Sequence, residues 1–209
     1  MKGVFLKDLY ITKSNLLVVV GNLVVLGFGV SFLFEPGAIL VLAPAAAVTP
    51  VFISIAGDAS SKWNKNALTM PLSRGQLVGE KYLLYGLLAA LGPLAALLPC
   101  GALALAGRPV SPQSLWLYGA LGLSAALLSG GISLPFAYCM DPEKSQIVFM
   151  LSFLVSTGII AALVVLINQL IPVKTHLVPA FLAVLAVSLL CFLGSCRVAI
   201  EVYRKRDIT

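Results

Sequence analysis

Six apolar stretches, each close to twenty residues long, constrain this chain more than any other feature. They run Leu16–Phe34, Ala38–Ala56, Tyr82–Ala106, Leu115–Tyr138, Ile147–Ile171 and Leu177–Cys196, and none carries Lys, Arg, Asp or Glu in its interior. About 20 consecutive apolar residues are what a helix needs to cross a bilayer. Six such helices use roughly 120 of the 209 residues. The rest is too short for an additional nucleotide-binding domain of ordinary size. A strand reading fails, because membrane strands alternate in and out over about 10 residues, whereas these runs are continuous. Composition agrees: 60% of residues are hydrophobic and 11% charged, and a soluble domain of this length needs a polar surface. That excludes a soluble enzyme, a disordered chain and a secreted disulfide scaffold. The expectation is an all-α polytopic membrane protein with six spans, forming a single transmembrane domain over residues 1–209.

Prolines lie inside several of these runs: Pro44 and Pro50 in the second, Pro93 and Pro99 in the third, Pro135 in the fourth, Pro179 early in the sixth. Membrane helices tolerate them where neighbours re-satisfy the freed carbonyls, so kinks are expected in the second and third helices above all. The first run is expected to be a span and not a cleaved leader, since it starts after residue 15 and another span follows at once.

Orientation follows from the basic residues. Twelve of the fourteen fall on one side: Lys2, Lys7, Lys13, Lys62, Lys65, Arg74, Lys81, Lys144, Arg197, Arg204, Lys205 and Arg206. Arg108 and Lys174 fall on the other. The bias places both termini in the cytoplasm. It also accounts for the net charge of +6 through topology and anionic lipid, not nucleic acid.

The outer connections are short, at Glu35–Gly37, Gly107–Ser114 and Pro172–His176, and leave no room for a receptor domain. The inner side is richer. Residues 1–15 place Phe5, Leu6, Leu9 and Tyr10 on one helical face, with Lys7 and Asp8 opposite, which predicts a short interfacial helix. Residues 57–81 form the longest polar segment. A helix is expected from about Ser60 to just before Pro71. A second should start at Ser73, where Ser-Arg-Gly-Gln makes a capping box with Gln76, and run through Lys81 into the third span. The resulting elbow presents Asp58, Lys62, Trp63, Asn64 and Arg74, and Trp63 suits either docking or anchoring at the membrane interface. A second inner loop, residues 139–146, carries Asp141, Pro142, Glu143 and Lys144, which suit a helix start. The tail, residues 197–209, extends the last helix.

Some chemistry is missing. There is no Gly-x-x-x-x-Gly-Lys-Ser/Thr loop, so the chain does not hydrolyse nucleotide by itself. The lone histidine, His176, and four scattered cysteines, Cys100, Cys139, Cys191 and Cys196, make no metal or redox motif. The expectation is therefore no catalytic residues, no metal and no cofactor bound by this chain. The spans hold only neutral polar groups, such as Ser54, Ser129, Ser133, Ser156, Thr157 and Asn168, expected to hydrogen-bond between helices. Gly119, Gly122, Gly130 and Gly131 suggest close helix packing. Without an intramembrane ionisable residue, energy for uphill transport has to enter through the inner elbow.

Particular residues carry a family resemblance. The start Lys2-Gly3 with Leu6-Lys7-Asp8-Leu9-Tyr10 resembles that of small bacterial permeases of type 2 ABC transporters. The first inner loop is more specific: Asp58, Lys62-Trp63-Asn64, Met70-Pro71-Leu72-Ser73-Arg74, Gln76-Leu77-Val78 and Lys81-Tyr82-Leu83 resemble that family's loop between helices two and three. Leu134-Pro135-Phe136 with Glu143-Lys144 is similar to its second inner loop. Met70-Pro71 departs from the Leu-Pro of the pattern, and Cys139-Met140-Asp141 from a Gly-containing turn. The resemblance implies six helices per protomer, a homodimer or heterodimer of permeases in a bacterial plasma membrane, and a separately encoded ATPase that holds ATP and magnesium. It implies a coupling loop made of Asp58, Lys62, Trp63, Asn64, Pro71, Ser73, Arg74 and Lys81, with a second contact at Asp141, Glu143 and Lys144. It also implies export of hydrophobic or amphipathic cargo, as in exporters of phenol-soluble modulins or bacteriocins. The residues themselves leave two other readings open: an ATP-independent channel or facilitator, and a membrane immunity or assembly protein.

Overall fold

The structure is a computed structural model, and it describes residues 2–33, 35–61, 63, 73–108, 111–139, 145–170 and 176–205. All regular structure among the described residues is helical: α1 (Lys2–Ser14), α2 (Leu16–Leu33), a 3-10 turn (Pro36–Ala38), α3 (Ile39–Ser60), α4 (Arg74–Leu105), α5 (Pro112–Cys139), α6 (Ser145–Leu170) and α7 (Leu177–Lys205). The helices match the six apolar runs in order, but three extend well beyond them on the side of residues 57–81 and 197–209. α3 continues through Gly57 to Ser60, α4 starts eight residues before Tyr82, and α7 continues past Cys196 to Lys205. Five of them, α3 to α7, are long and apolar enough to cross a membrane singly. α1 and the first half of α2 pass that test only as a pair bent by 45°. At about 1.5 Å per residue the 18-residue α2 spans about 27 Å, near the lower limit for a bilayer core.

α3 and α5 are the inner helices, with 67% of each apolar window buried, against 17% to 22% for α4, α6 and α7. Outward residues such as Leu98, Leu105, Leu154 and Leu190 are exposed, which suits hydrocarbon and not water. The main core joins α3, α4, α5 and α7 through Val51, Phe52, Tyr82, Tyr85, Leu134 and Phe192. The Phe52 and Phe149 rings lie 4.5 Å apart, and Tyr85 and Phe192 lie 5.6 Å apart, both within the range of favourable aromatic pairing.

Glycine decides how closely the inner helices approach. A Cβ at Gly92 of α4 would stand 2.5 Å from Pro44 Cα, and one at Gly122 of α5 would stand 2.3 Å from the Leu40 carbonyl oxygen. α3 is therefore gripped between two helices backbone to backbone. Gly130 instead makes room for the Tyr85 ring, whose hydroxyl donates to the Ala126 carbonyl at 2.7 Å. Gly119 and Gly131 make only ordinary contacts.

Of the serines expected to join helices, Ser54 and Ser129 do so, through Asp8, Lys81 and Tyr85, while Ser133 and Ser156 do not. Ser124, Ser133, Ser156 and Ser188 donate to carbonyls one turn back in their own helices, at 2.6 to 2.8 Å. A hydroxyl one turn from a carbonyl on the same helix finds that partner locally. Further contacts between helices come from Tyr82, which meets Ser195 at 2.9 Å, and from Ser195 donating to the Gly131 carbonyl.

Candidate functional site

α1, the end of α3, the start of α4 and the end of α7 gather at one end of the bundle. There the fold places charges in its interior. Asp8 lies on the α1 stripe Val4–Asp8–Thr12, three buried residues one turn apart. Asp58 and Ser54 sit one turn apart on α3. Lys81 shares the inward stripe of α4 with Val78, Tyr82 and Tyr85.

These side chains interlock. The Lys81 ammonium lies 2.5 Å from Asp8 Oδ2 and 2.9 Å from Asp58 Oδ2, and it donates to Ser54 Oγ at 2.7 Å. Ser54 passes the bond on, donating to Asp8 Oδ1 at 2.8 Å. Lys7 lies 2.5 Å from Asp58 Oδ1 and 3.4 Å from Asp8 Oδ1. Two carboxylates thus face two ammonium groups. Exposure rises outward from Asp8 at 0%, through Lys81 at 7% and Asp58 at 12%, to Lys7 at 26%. Buried charge is tolerated when paired and hydrogen-bonded; here each charge is paired, Asp8 Oδ1 accepts from Ser54, and Asp8 Oδ2 relies on its ion pair with Lys81. The network ties three helices, α1, α3 and α4, into one unit across the base of residues 62–72.

Trp63 belongs to the same unit, because the Lys7 ammonium sits 4.7 Å from the centre of its ring, within cation–π range. Glu80 is buried beside the cluster, within reach of the charges of Asp8, Lys81 and Lys7. Its Oε1 has no hydrogen-bond partner among the described residues.

The α4 start is built as its spacing predicts. Ser73 Oγ accepts from the Gln76 amide at 3.2 Å, and Gln76 Oε1 accepts from the Ser73 amide at 3.0 Å. This reciprocal cap fixes the point where the loop becomes helix. Replacing Ser73 with Ala should cost about 1 kcal/mol. Hydrogen exchange should then be faster at the amides of residues 75–77 and unchanged in the centre of α4.

Arg74, the first residue of α4, turns toward the chain's other end. Its Nη1 donates to the Arg204 carbonyl at 2.8 Å and to the Tyr203 carbonyl at 3.4 Å. These are last-turn carbonyls of α7, which have no acceptor role within the helix.

The sequence-predicted site residues thus divide. Asp58 and Lys81 meet with their side chains turned inward and Trp63 joins them through Lys7, whereas Ser73 pairs with Gln76 and Arg74 with the end of α7. Lys62, Asn64, Pro71, Asp141, Glu143 and Lys144 lie outside the described residues. Sequence reasoning missed the central role of Asp8 and the presence of Ser54 and Glu80. It set Phe5 with Leu6, Leu9 and Tyr10 on one face. In the structure Phe5 packs on the core while Leu6, Leu9 and Tyr10 are exposed. The polar side of α1 faces protein because its apolar side faces outward. A signal was available: Asp8 is the only acid in α1 and Asp58 the only one in α3, and an acid alone on an apolar membrane helix calls for a partner.

No group of three or more His, Cys, Asp or Glu side chains able to hold a metal occurs among the described residues. At the opposite end of the bundle, Tyr118 donates to Glu35 Oε2 at 2.8 Å, fixing the connection between α2 and α3 against α5.

The family described as ABC-2 family transporter protein matches residues 3–204, nearly the whole chain. No curated protein and no solved structure matches it.

Proposed function

We propose that this chain, which belongs to the ABC-2 transporter family, is the permease subunit of an exporter driven by a separately encoded ABC ATPase. In this reading the ATPase holds ATP and magnesium, and the permease contributes the path for a hydrophobic or amphipathic cargo. Two permeases, identical or different, pair in a bacterial plasma membrane with both termini in the cytoplasm. The twelve-to-two distribution of basic residues supports that orientation.

One observation carries the proposal: the two ends of residues 62–72 are rigidly joined. Asp58 at the end of α3 and Lys81 near the start of α4 meet at 2.9 Å. A loop on a soft base would absorb a push, whereas this one passes it to α3 and α4 together. α4 carries the displacement farthest, since its 32 residues extend about 48 Å, well beyond an apolar thickness of about 30 Å. Contact with the ATPase is made by the loop, through Lys62, Trp63, Asn64 and Pro71, and by the second loop through Asp141, Glu143 and Lys144, while Arg74 faces the end of α7. Asp58, Ser73 and Lys81 hold the loop in place. ATP binding closes the ATPases, the clamped unit tilts, and the opening between paired permeases changes sides.

Export is tested in everted membrane vesicles, with a fluorescent amphipathic helical peptide as probe. Uptake should depend on ATP and on the presence of both subunits. Uptake that persists without ATP, or without this chain, contradicts the proposal.

A further inference from the structure

The tie between Arg74 and α7 reaches past the loop itself. Arg74 is the first residue after the Ser73 cap, so it moves with the end of the loop. Its two bonds cross to the last turn of the final helix, 129 and 130 residues further along the chain. A guanidinium on helix C-terminal carbonyls makes charge-assisted bonds that also favour the negative end of the helix dipole. One turn back on α7, Ile200 packs on the next α4 residue, with its Cγ2 3.5 Å from where a Gly75 Cβ would stand. The α7 end is rigid in its own right, since Ala199 and Tyr203 are buried and the Tyr203 and Tyr138 rings lie 5.2 Å apart.

We propose that Arg74 is a positioning residue that makes the last turns of α7 move with the loop, so that a nucleotide-driven stroke reaches α7 as directly as it reaches α4. The inference rests on the permease reading and deepens it. α7 is therefore a second output of the loop, on a helix remote from it in sequence. The half of α6 that ends at Leu170 lies farthest along that helix from both loops, and it serves as the reference against which α7 moves.

The test uses the complex of this chain with its ATPase. Spin labels are placed at Val198→Cys on α7 and Val165→Cys in the far half of α6, both exposed positions, with the native cysteines replaced by alanine. The inter-label distance is measured without nucleotide and with ATP plus vanadate. The expected order of the nucleotide-driven shift is unaltered chain, then Arg74→Lys, then Arg74→Ala, where it is lost. Lysine keeps the charge but not the fork. ATPase capture should be equal in all three. If Arg74→Ala does not fold, Arg74→Lys against the unaltered chain makes the same comparison. A full shift in the substituted chains overturns the inference. So does loss of ATPase capture on substitution, because that makes Arg74 a docking contact. An unaltered chain that binds the ATPase and shows no shift also overturns the inference and leaves the permease reading standing. An unaltered chain that binds no ATPase overturns both.

Discussion

Replacing Lys81 with methionine should be the most damaging single change at the loop base. The side chains are of similar length, so packing is largely kept and the charge is lost. Lys81 is 7% exposed and touches two carboxylates and a hydroxyl. Without it, Asp8, fully buried, keeps the Ser54 hydroxyl but only one cation, Lys7 at 3.4 Å, which Asp58 already engages at 2.5 Å. Removing one partner of a buried ion pair costs about 3–5 kcal/mol, because the other charge is stranded. Against a total stability of about 5–15 kcal/mol that is a large share. The effect should appear as a large drop in the thermal stability of the detergent-solubilised protein and in its yield.

The same arithmetic predicts a rescue. Adding Asp8→Asn to Lys81→Met removes one charge of each sign and leaves the Lys7–Asp58 pair intact. The double variant should recover most of the lost stability, so the two changes should be strongly non-additive. Equal losses in the single and double variants would mean that the cluster matters by shape and not by charge.

A second large effect is expected far from any charge. Gly122→Ala inserts a methyl group 2.3 Å from the Leu40 carbonyl oxygen and 2.7 Å from Val41 Cα. Both obstacles are backbone, so no rotamer change relieves them and α3 must move away from α5. Overpacking a core costs about 1–3 kcal/mol. Here the upper end is expected, less the roughly 1 kcal/mol by which alanine favours a helix over glycine. Gly130→Ala meets a ring carbon of Tyr85 at 2.3 Å, but a side chain can yield more than a backbone, so its cost should be smaller. Gly119→Ala meets only Leu40 Cδ2, at 3.6 Å, and should be neutral or slightly stabilising. Thermal unfolding in one detergent checks this order, Gly122 worst and Gly119 least.

The helices were legible in the sequence because length and apolarity signal a membrane helix strongly. Continuous runs near 20 residues, free of charge, marked every long helix, and the Ser73–Gln76 spacing marked the start of α4. The ends of α3 and α7 were less legible. The polar residues past Ala56 and Cys196 read as loop and tail, but they continue as helix because neighbouring elements supply partners. Asp58 is held by Lys81, and the last α7 carbonyls are held by Arg74. The site was half legible. Charge density pointed to residues 57–81, where Asp58 and Lys81 meet and Trp63 joins them through Lys7, while Ser73 and Arg74 find partners of their own at Gln76 and the end of α7. What misled was the direction in which they face. Reading Lys7 and Asp8 as the outer side of α1 assumes water on that side. Next to lipid, the apolar side turns outward and the charges turn in, so polarity no longer marks the surface. The partners of Asp8 lie 46 and 73 positions away, at Ser54 and Lys81, and no local periodicity can link them.

The central claim is that residues 64–72 are where an ATPase grips a base that the protein holds rigid. Exchanging those residues for a glycine–serine linker of equal length leaves the Asp8–Ser54–Asp58–Lys81 cluster, Trp63 and the Ser73 cap in place. The altered chain, affinity-purified from its native membrane, should melt at the temperature of the unaltered chain and no longer bring down an ABC ATPase that the unaltered chain retains. An ATPase recovered in equal amount with both chains would contradict the account.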